Sequence, residues 1–358
     1  MNKLNKLFVV ILSSLFISVQ AFAGELGVSG SAKASYAING GDSKSTGIGI
    51  SNELNFTASG ELDNGFTWSY STELDGNDGG AHDNDDSQIV FGLGGMGTLG
   101  IMDSEGGLST ETGMGIGAMG VGDDYANTGT IVGNDIDVSS YGNIQYHLPA
   151  DVLPFGLGAK VAYVPNTSDT DNNSYKNGGG INTQGVTGDS ATMGQITASP
   201  VDGLKIGADY ITFGNDSGVV YQSQEAGGFY ANYSYMNFKV GYGERYYAPG
   251  LAAKVNTTAA DGSYITDQIG VEFAVNDALS VSYMEEESEQ KTYGAAVNAA
   301  AGASPYTKAT VTAKSTYLMA AYDIGGATLG ITNVDTSNSA YVIGADRKLT
   351  IVSMAMAF

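Results

Sequence analysis

The sequence has no cysteine, and only six prolines, one tryptophan and two histidines in 358 residues. Without cysteine there are no disulfides and no thiolate metal ligands. That is compatible with an oxidising export compartment without requiring one. Few prolines beside 52 glycines and 22 tyrosines suit strands joined by turns. Basic residues are scarce: 15 Lys and Arg stand against 38 Asp and Glu, a net charge of −23. Acidity of that size argues against nucleic acid as a partner, because its phosphates would be repelled. Two readings remain, a solvated surface that resists aggregation and a negative field that draws cations. Only the location of the charges along the chain separates them. Long apolar runs are also missing. No segment after the N-terminus reaches 18 continuous apolar residues, which excludes helical membrane spans. The two histidines, His82 in an acidic stretch and His147 near a short turn, form no Ser-His-acid or His-Asp constellation by spacing. The sequence therefore reads as no enzyme.

What is present begins with an export signal. Lys3 and Lys6 precede an apolar run from Leu7 to Val19, and Ala21-Phe22-Ala23 fits a small-x-small cleavage site. The run is short for a membrane-spanning helix. Residues 1–23 are expected to be a cleaved signal peptide and 24–358 the mature chain.

Alternation with period two then recurs. Leu54, Phe56, Ala58, Gly60 and Leu62 face one way, and Glu53, Asn55, Thr57, Ser59 and Glu61 the other. After Asp63-Asn64-Gly65, a hairpin turn by its chemistry, Phe66, Trp68, Tyr70, Thr72 and Leu74 continue the apolar face. A soluble sandwich would bury that face, whereas a membrane barrel would turn it to lipid. Loop lengths decide between them. Short connections at 63–65, 94–97, 149–154, 200–203, 236–237, 276–278 and 324–326 alternate with long polar segments such as 75–87, 165–190, 214–224, 248–263 and 290–312. That alternation marks a transmembrane antiparallel β-barrel with long extracellular loops. Seven short turns with both termini on one side imply 16 strands, enough to enclose water rather than a packed interior. A secreted β-solenoid would need a fixed short repeat, and none is present.

The last residues, Thr350 to Phe358, fit this reading. Val352, Met354, Met356 and Phe358 alternate with smaller residues and end on an aromatic. An apolar strand running to the terminus would be a sticky edge in water, but is safe when it closes a barrel in lipid. The pattern resembles the C-terminal signature of Gram-negative outer-membrane barrels, in which a terminal Phe, here Phe358, marks the chain for insertion. Parity counted back from it puts Arg347 in the lumen, and with it Leu349 and Ile351, which need a cover.

Several segments resemble the general diffusion porins, especially those of alphaproteobacteria. Phe91-Gly-Leu-Gly-Gly-Met-Gly-Thr-Leu-Gly100 is similar to the family's fourth strand, turn and fifth strand. Asn143-Ile-Gln-Tyr146 and Gly158-Ala-Lys-Val-Ala-Tyr-Val-Pro-Asn166 resemble the hairpin that follows, and Ser315 to Leu329 with the tail to Phe358 the last three strands. The resemblance implies a homotrimer of sixteen-stranded barrels in the outer membrane, in contact with lipid and lipopolysaccharide. It also implies passive diffusion of small hydrophilic solutes and ions, with the third extracellular loop folded inward to narrow the pore. The loop candidate runs from about residue 104 to 140. It is too long for an ordinary hairpin loop, and its spaced apolar residues Met114, Ile116, Met119 and Val121 suit backbone laid against a wall. A mobile outer flap is the competing reading.

Charge is concentrated here. Between Lys44 and Lys160 there is no Lys or Arg, but there are seventeen Asp or Glu. Glu105, Glu111, Asp123, Asp124, Asp135 and Asp137 fall in the loop, with Asp103 just before it. In the resembled porins loop acids face a basic cluster on the wall. Here Ile101-Met102-Asp103 stands where those porins often end strand five on a basic residue, so an arginine ladder is not carried over. By inward parity the basic wall candidates are Lys33 and Arg347, neighbours through barrel closure that are expected to form a small basic patch, then Lys160, with Lys205, Lys239 and Arg245 as further candidates. Carboxylates with so little compensation suggest a cation-preferring pore, since their field acts within the Debye length of about 8 Å at physiological salt. The alternative is that they point into bulk water. Two acid-rich loops, with Asp83 and Asp85 in one and Asp169 and Asp171 in the other, offer oxygen ligands for Ca²⁺, which needs six to eight. A solvated loop is the simpler account of each. No other cofactor is implied. Two further functions stay open: a pore selective for sugars or organic acids, which needs inward-facing aromatic rings, and a non-conducting structural or adhesin barrel.

Overall fold

The computed structural model describes residues 25–41, 45–76, 82–83, 86–110, 116–117, 136–149, 152–167, 190–214, 220–252, 260–293 and 308–358. They form a closed antiparallel barrel of sixteen staves. The first eight are β1 (Glu25–Gly41), β2 (Ser45–Glu61), β3 (Thr67–Gly76), β4 (Ser87–Gly92), β5 (Thr98–Asp103), β6 (Asn143–His147), β7 (Gly158–Val164) and β8 (Ala191–Ala198). The second eight are β9 (Leu204–Phe213), β10 (Glu225–Tyr235), β11 (Phe238–Ala248), β12 (Ala260–Ala274), β13 (Leu279–Tyr293), β14 (Lys308–Asp323), β15 (Ala327–Ser337) and β16 (Arg347–Ala357). Each stave pairs with the next in sequence, and β16 returns to β1. A two-residue strand, His82–Asp83, extends the edge of β3, and Val220–Gln222 pairs with Leu251–Ala252 in a separate ribbon.

All the short turns read from the sequence join consecutive staves at the end where β1 begins. In the first, Asn64 Oδ1 accepts the Phe66 N–H at 3.0 Å and Gly65 takes a φ of 80°. In another, Asn276 Oδ1 accepts from both Ala278 and Leu279 at 2.9 Å. A short polar side chain that caps its own backbone is the reason these residues hold such turns.

Closure is complete to the last residue. Phe358 donates to and accepts from the Gly30 backbone at 2.9 and 2.8 Å. A Cβ at Gly30 would lie 2.8 Å from the Phe358 ring, so glycine is required where the terminal aromatic crosses β1. Val352, Met354, Met356 and Phe358 are exposed on the outer face, as parity demands. Leu349 and Ile351 face inward at 6% exposure each, and their cover is explained below.

The staves differ in height. β4 to β7 have five to seven residues, whereas β1, β2 and β12 to β14 have fifteen to seventeen. The low side is where the segment after β5 enters the lumen.

Candidate pore and its lining

The segment after β5 turns inward and follows the inner wall from stave to stave. Asn143 Nδ2 on β6 donates to the Glu105 carbonyl at 3.0 Å, and Gln145 on the same stave donates to the Gly106 carbonyl. Gln195 on β8 donates to the Leu108 carbonyl at 2.8 Å. Asp209 on β9 accepts the Thr110 N–H at 2.8 Å and the Thr110 hydroxyl on the same Oδ1. Ile116 then lies fully buried against Gly270 of β12 and Met284 of β13, and the Gly117 N–H points to Glu272 Oε2 at 3.4 Å. Carbonyls of this leg meet amide side chains and N–H groups meet carboxylates. The backbone groups named here are thus paired although they leave the sheet, as burial requires.

The returning leg closes on the outgoing one. Asp137 accepts the N–H of Leu108 at 2.9 Å, of Ser109 at 2.6 Å and of Val138 at 2.5 Å. Leu108 and Val138 are wholly buried among Ala162, Met193, Ile211 and Phe213 on the inner faces of β7 to β9. Tyr141 packs edge-on to Phe213, with ring centroids 6.2 Å apart, and burial pushes its phenol above the ordinary pKa. Further round, Ile116 belongs to a second buried cluster with Met284, Tyr317, Met319, Val334, Leu349 and Ile351. This explains the inward leucine and isoleucine of β16: they face packed side chains, not water.

The inner faces of β1 to β3 are different. Ser29, Ser51, Thr57, Ser59, Glu61, Thr67 and Ser69 share the inward parity and are exposed. Above them the carboxylate oxygens of Glu73, Asp86 and Glu105 lie within 4.8 Å of one another. Glu53, held by Ser31 and Asn55 at 3.4 and 2.9 Å, has the same parity one stave away. Three hard oxygen donors at this separation suit a cation. The second charged node is closed. Arg245 Nη1 meets Asp209 Oδ1 at 2.9 Å, with side chains 5% and 0% exposed.

No protein-family profile and no curated protein matches the sequence. Solved structures do match. Salmonella typhi OmpF superposes with a TM-score of 0.62 at 13% identity, over 95% of this chain and 100% of that one. OmpT of Vibrio cholerae gives 0.63 at 11%, over 95% and 99%. A mutant of Rh. blastica porin gives 0.55 at 14%, over 93% and 100%. The chain has the porin fold.

On this porin barrel the residues expected from the sequence take different places. Glu105 joins the acidic group on the open wall. Asp103 does not line the lumen: it stands opposite Ser87 with the parity of Ile101 and the exposed Ile89, while Met102 turns inward. The strand ends at Asp103 as expected, and the period-two alternation turns that last residue outward. Asp137 is in the loop but is 8% exposed, and its carboxylate serves three N–H groups, so it closes the loop rather than facing the pore. Glu111, Asp123, Asp124, Asp135, Asp85, Asp169 and Asp171 lie outside the described residues, as does the side chain of Asp83.

Lys33, Lys160 and Arg347 take inward register positions. The basic patch of Lys33 with Arg347 is not formed. Lys33 pairs with Ala355 and Arg347 with Gly41, eight steps apart, or about 26 Å along the strand. Adjacent staves do not make adjacent residues when the register separates them. Among the described residues the inward rings Tyr230, Tyr264, Tyr317 and Tyr341 are 0–8% exposed, and half-buried Tyr247 is stacked on Tyr264, so they offer no continuous stacking track for a sugar. Glu73 and Asp86, absent from the candidates, were recoverable only in part: parity placed Glu73 inward, but Asp86 read as loop. Arg245 was among the further basic wall candidates, but its pairing with Asp209 left no local signal, because Asp209 reads as one polar residue on an alternating strand.

Proposed function

We propose that this protein is an outer-membrane diffusion pore, passing small hydrophilic solutes and ions passively and preferring cations. The observation that carries it is the exposed polar inner face of β1 to β3 beside a wall packed by the inward loop. A structural or adhesin barrel has no use for such a face, and a sugar-selective channel would want its inward rings free. The preference for cations rests on Glu53, Glu61, Glu73, Asp86 and Glu105 along the open wall, where carboxylates act on ions at close range. Single-channel conductance in planar bilayers tests the pore, and a reversal potential under a KCl gradient tests its sign. Absence of current sinks the first reading; anion preference sinks the second.

A homotrimer fits the uneven outer surface. On β1 the outward positions Leu26, Val28, Tyr36 and Ile38 are apolar and exposed, spanning about 40 Å of strand. On β13 the apolar series ends at Tyr283, and Glu285 follows. An apolar belt in a bilayer is only about 25 Å tall, so the taller face at β1 and β2 suits contact with further copies. Current closing in triplets, and a cross-linked trimer on gels, are the expected results.

A further inference from the structure

The Asp209–Arg245 pair is an expensive thing to place in a barrel wall. Both side chains are at most 5% exposed, and Asp209 Oδ2, Arg245 Nε and Arg245 Nη2 are buried without hydrogen-bond partners. A buried ion pair with orphaned atoms is a poor source of stability, because desolvation of both charges opposes their attraction. Neighbouring inward positions in the same rows carry Gln195, Gly228 and Thr266, which need no such compensation. What the pair does hold is the loop. Asp209 Oδ1 receives Arg245 Nη1 and both donors of Thr110, from two separate parts of the chain. Thr110 is also the last described contact before Ile116, so the leg is fixed to the wall at Gln195, at Asp209 and again at Gly270.

We propose that Asp209 is the positioning residue that sets the bore of the pore. Arg245 fixes its orientation, and Asp209 clasps the middle of the inward leg to the wall. This rests on the pore reading above. With the clasp open, the leg loses its hold on β9 and keeps its contacts at Gln195 and Gly270. The pore then fluctuates between partly blocked levels instead of resting at one.

The experiment compares purified wild-type protein with Asp209→Ala, Asp209→Glu and Thr110→Pro in planar bilayers, with the heat-stable oligomer on gels as a measure of folding. Wild type has a steady open level. Asp209→Ala is expected to lose it and flicker at lower mean current with the oligomer intact. Asp209→Glu, which keeps the carboxylate, is expected to recover it in part. Thr110→Pro removes both loop donors and leaves the Asp209–Arg245 pair untouched, so it carries the test if Asp209→Ala does not assemble. Because the chain has no cysteine, a Thr110→Cys, Asp209→Cys variant adds a reversible clasp: steady current when oxidised, flicker after reduction. Steady wild-type-like current from assembled Asp209→Ala or Thr110→Pro overturns the inference while leaving the pore reading standing. A wild type that passes no current overturns the pore reading itself.

Discussion

The two halves of the lumen wall have the same alternation and opposite fates. On β1 to β3 inward Ser, Thr and Glu side chains meet water; on β7 to β10 and β13 to β16 most inward positions are buried under or beside the loop. Their compositions differ to match. The covered wall carries Met193, Ile211, Met284, Tyr317, Met319, Leu349 and Ile351, which would be out of place in an open channel. The lesson is that inward parity in a barrel is not the same as pore lining. Which inward residues touch solute is decided by where the loop lies.

The strongest way to break that distinction is to reverse charge on the open wall. Each carboxylate about 8 Å from an ion in water acts with roughly 0.5 kcal/mol, so three together change cation partitioning by about tenfold at low salt. Neutralising Glu73, Asp86 and Glu105 together is therefore expected to lower the cation preference about tenfold at low salt, and replacing all three by Lys to reverse it, read as a sign change in the reversal potential. A matched change of inward lysines beside the covered wall, Lys205→Gln with Lys239→Gln, is expected to leave the sign unchanged. An equal effect from both sets means that the two walls share the current.

A second route is to uncover the packed wall. A Cβ at Gly270 would meet Ile116 Cγ2 at 2.3 Å and Met284 Cγ at 3.4 Å. Gly270→Val therefore drives Ile116 from its seat, an overpacking penalty of about 1–3 kcal/mol. The expected outcome is a lower thermal midpoint with the barrel still formed, and faster cleavage at Glu111 by a Glu-specific protease. Trypsin has no site there, since no Lys or Arg lies between Lys44 and Lys160. Unchanged cleavage places Ile116 outside the loop's anchorage.

Much of the barrel was legible because each local rule acts within a few residues. Asn64-Gly65, Gly325-Gly326 and Asn276 declare their turns, and period two declares the two faces of each strand. Even Leu349 and Ile351 announced that something must cover them. What covered them was not readable, because Ile116 meets Gly270 across more than 150 positions of sequence, and a glycine in a strand says nothing of what rests on it. The acidic site was half legible for the same reason. Glu73 and Glu105 each read as inward or loop acids, but their meeting with Asp86 depends on β3 and β4 pairing where a long loop had hidden the register. The expected partnership of Lys33 with Arg347 failed on register too, since closure fixes which strands are neighbours and not which residues are.

The mildest test uses salt alone and sharpens the contrast without a mutation. Between 0.1 and 1 M the Debye length falls from about 10 to 3 Å, so fields from solvated carboxylates fade while buried pairs are screened much less. Glu61 is exposed and the Glu73, Asp86 and Glu105 group is partly so; the Asp209–Arg245 pair is at most 5% exposed. Reversal potentials at a fixed concentration ratio are therefore expected to shrink as absolute KCl rises, because ion choice belongs to the open wall. The steady open level is expected to persist over the same range, because the loop's attachment belongs to the covered one. A cation preference that survives 1 M salt undiminished moves selectivity off the open wall. Flicker that grows with salt shows that the clasp is more hydrated than its burial implies.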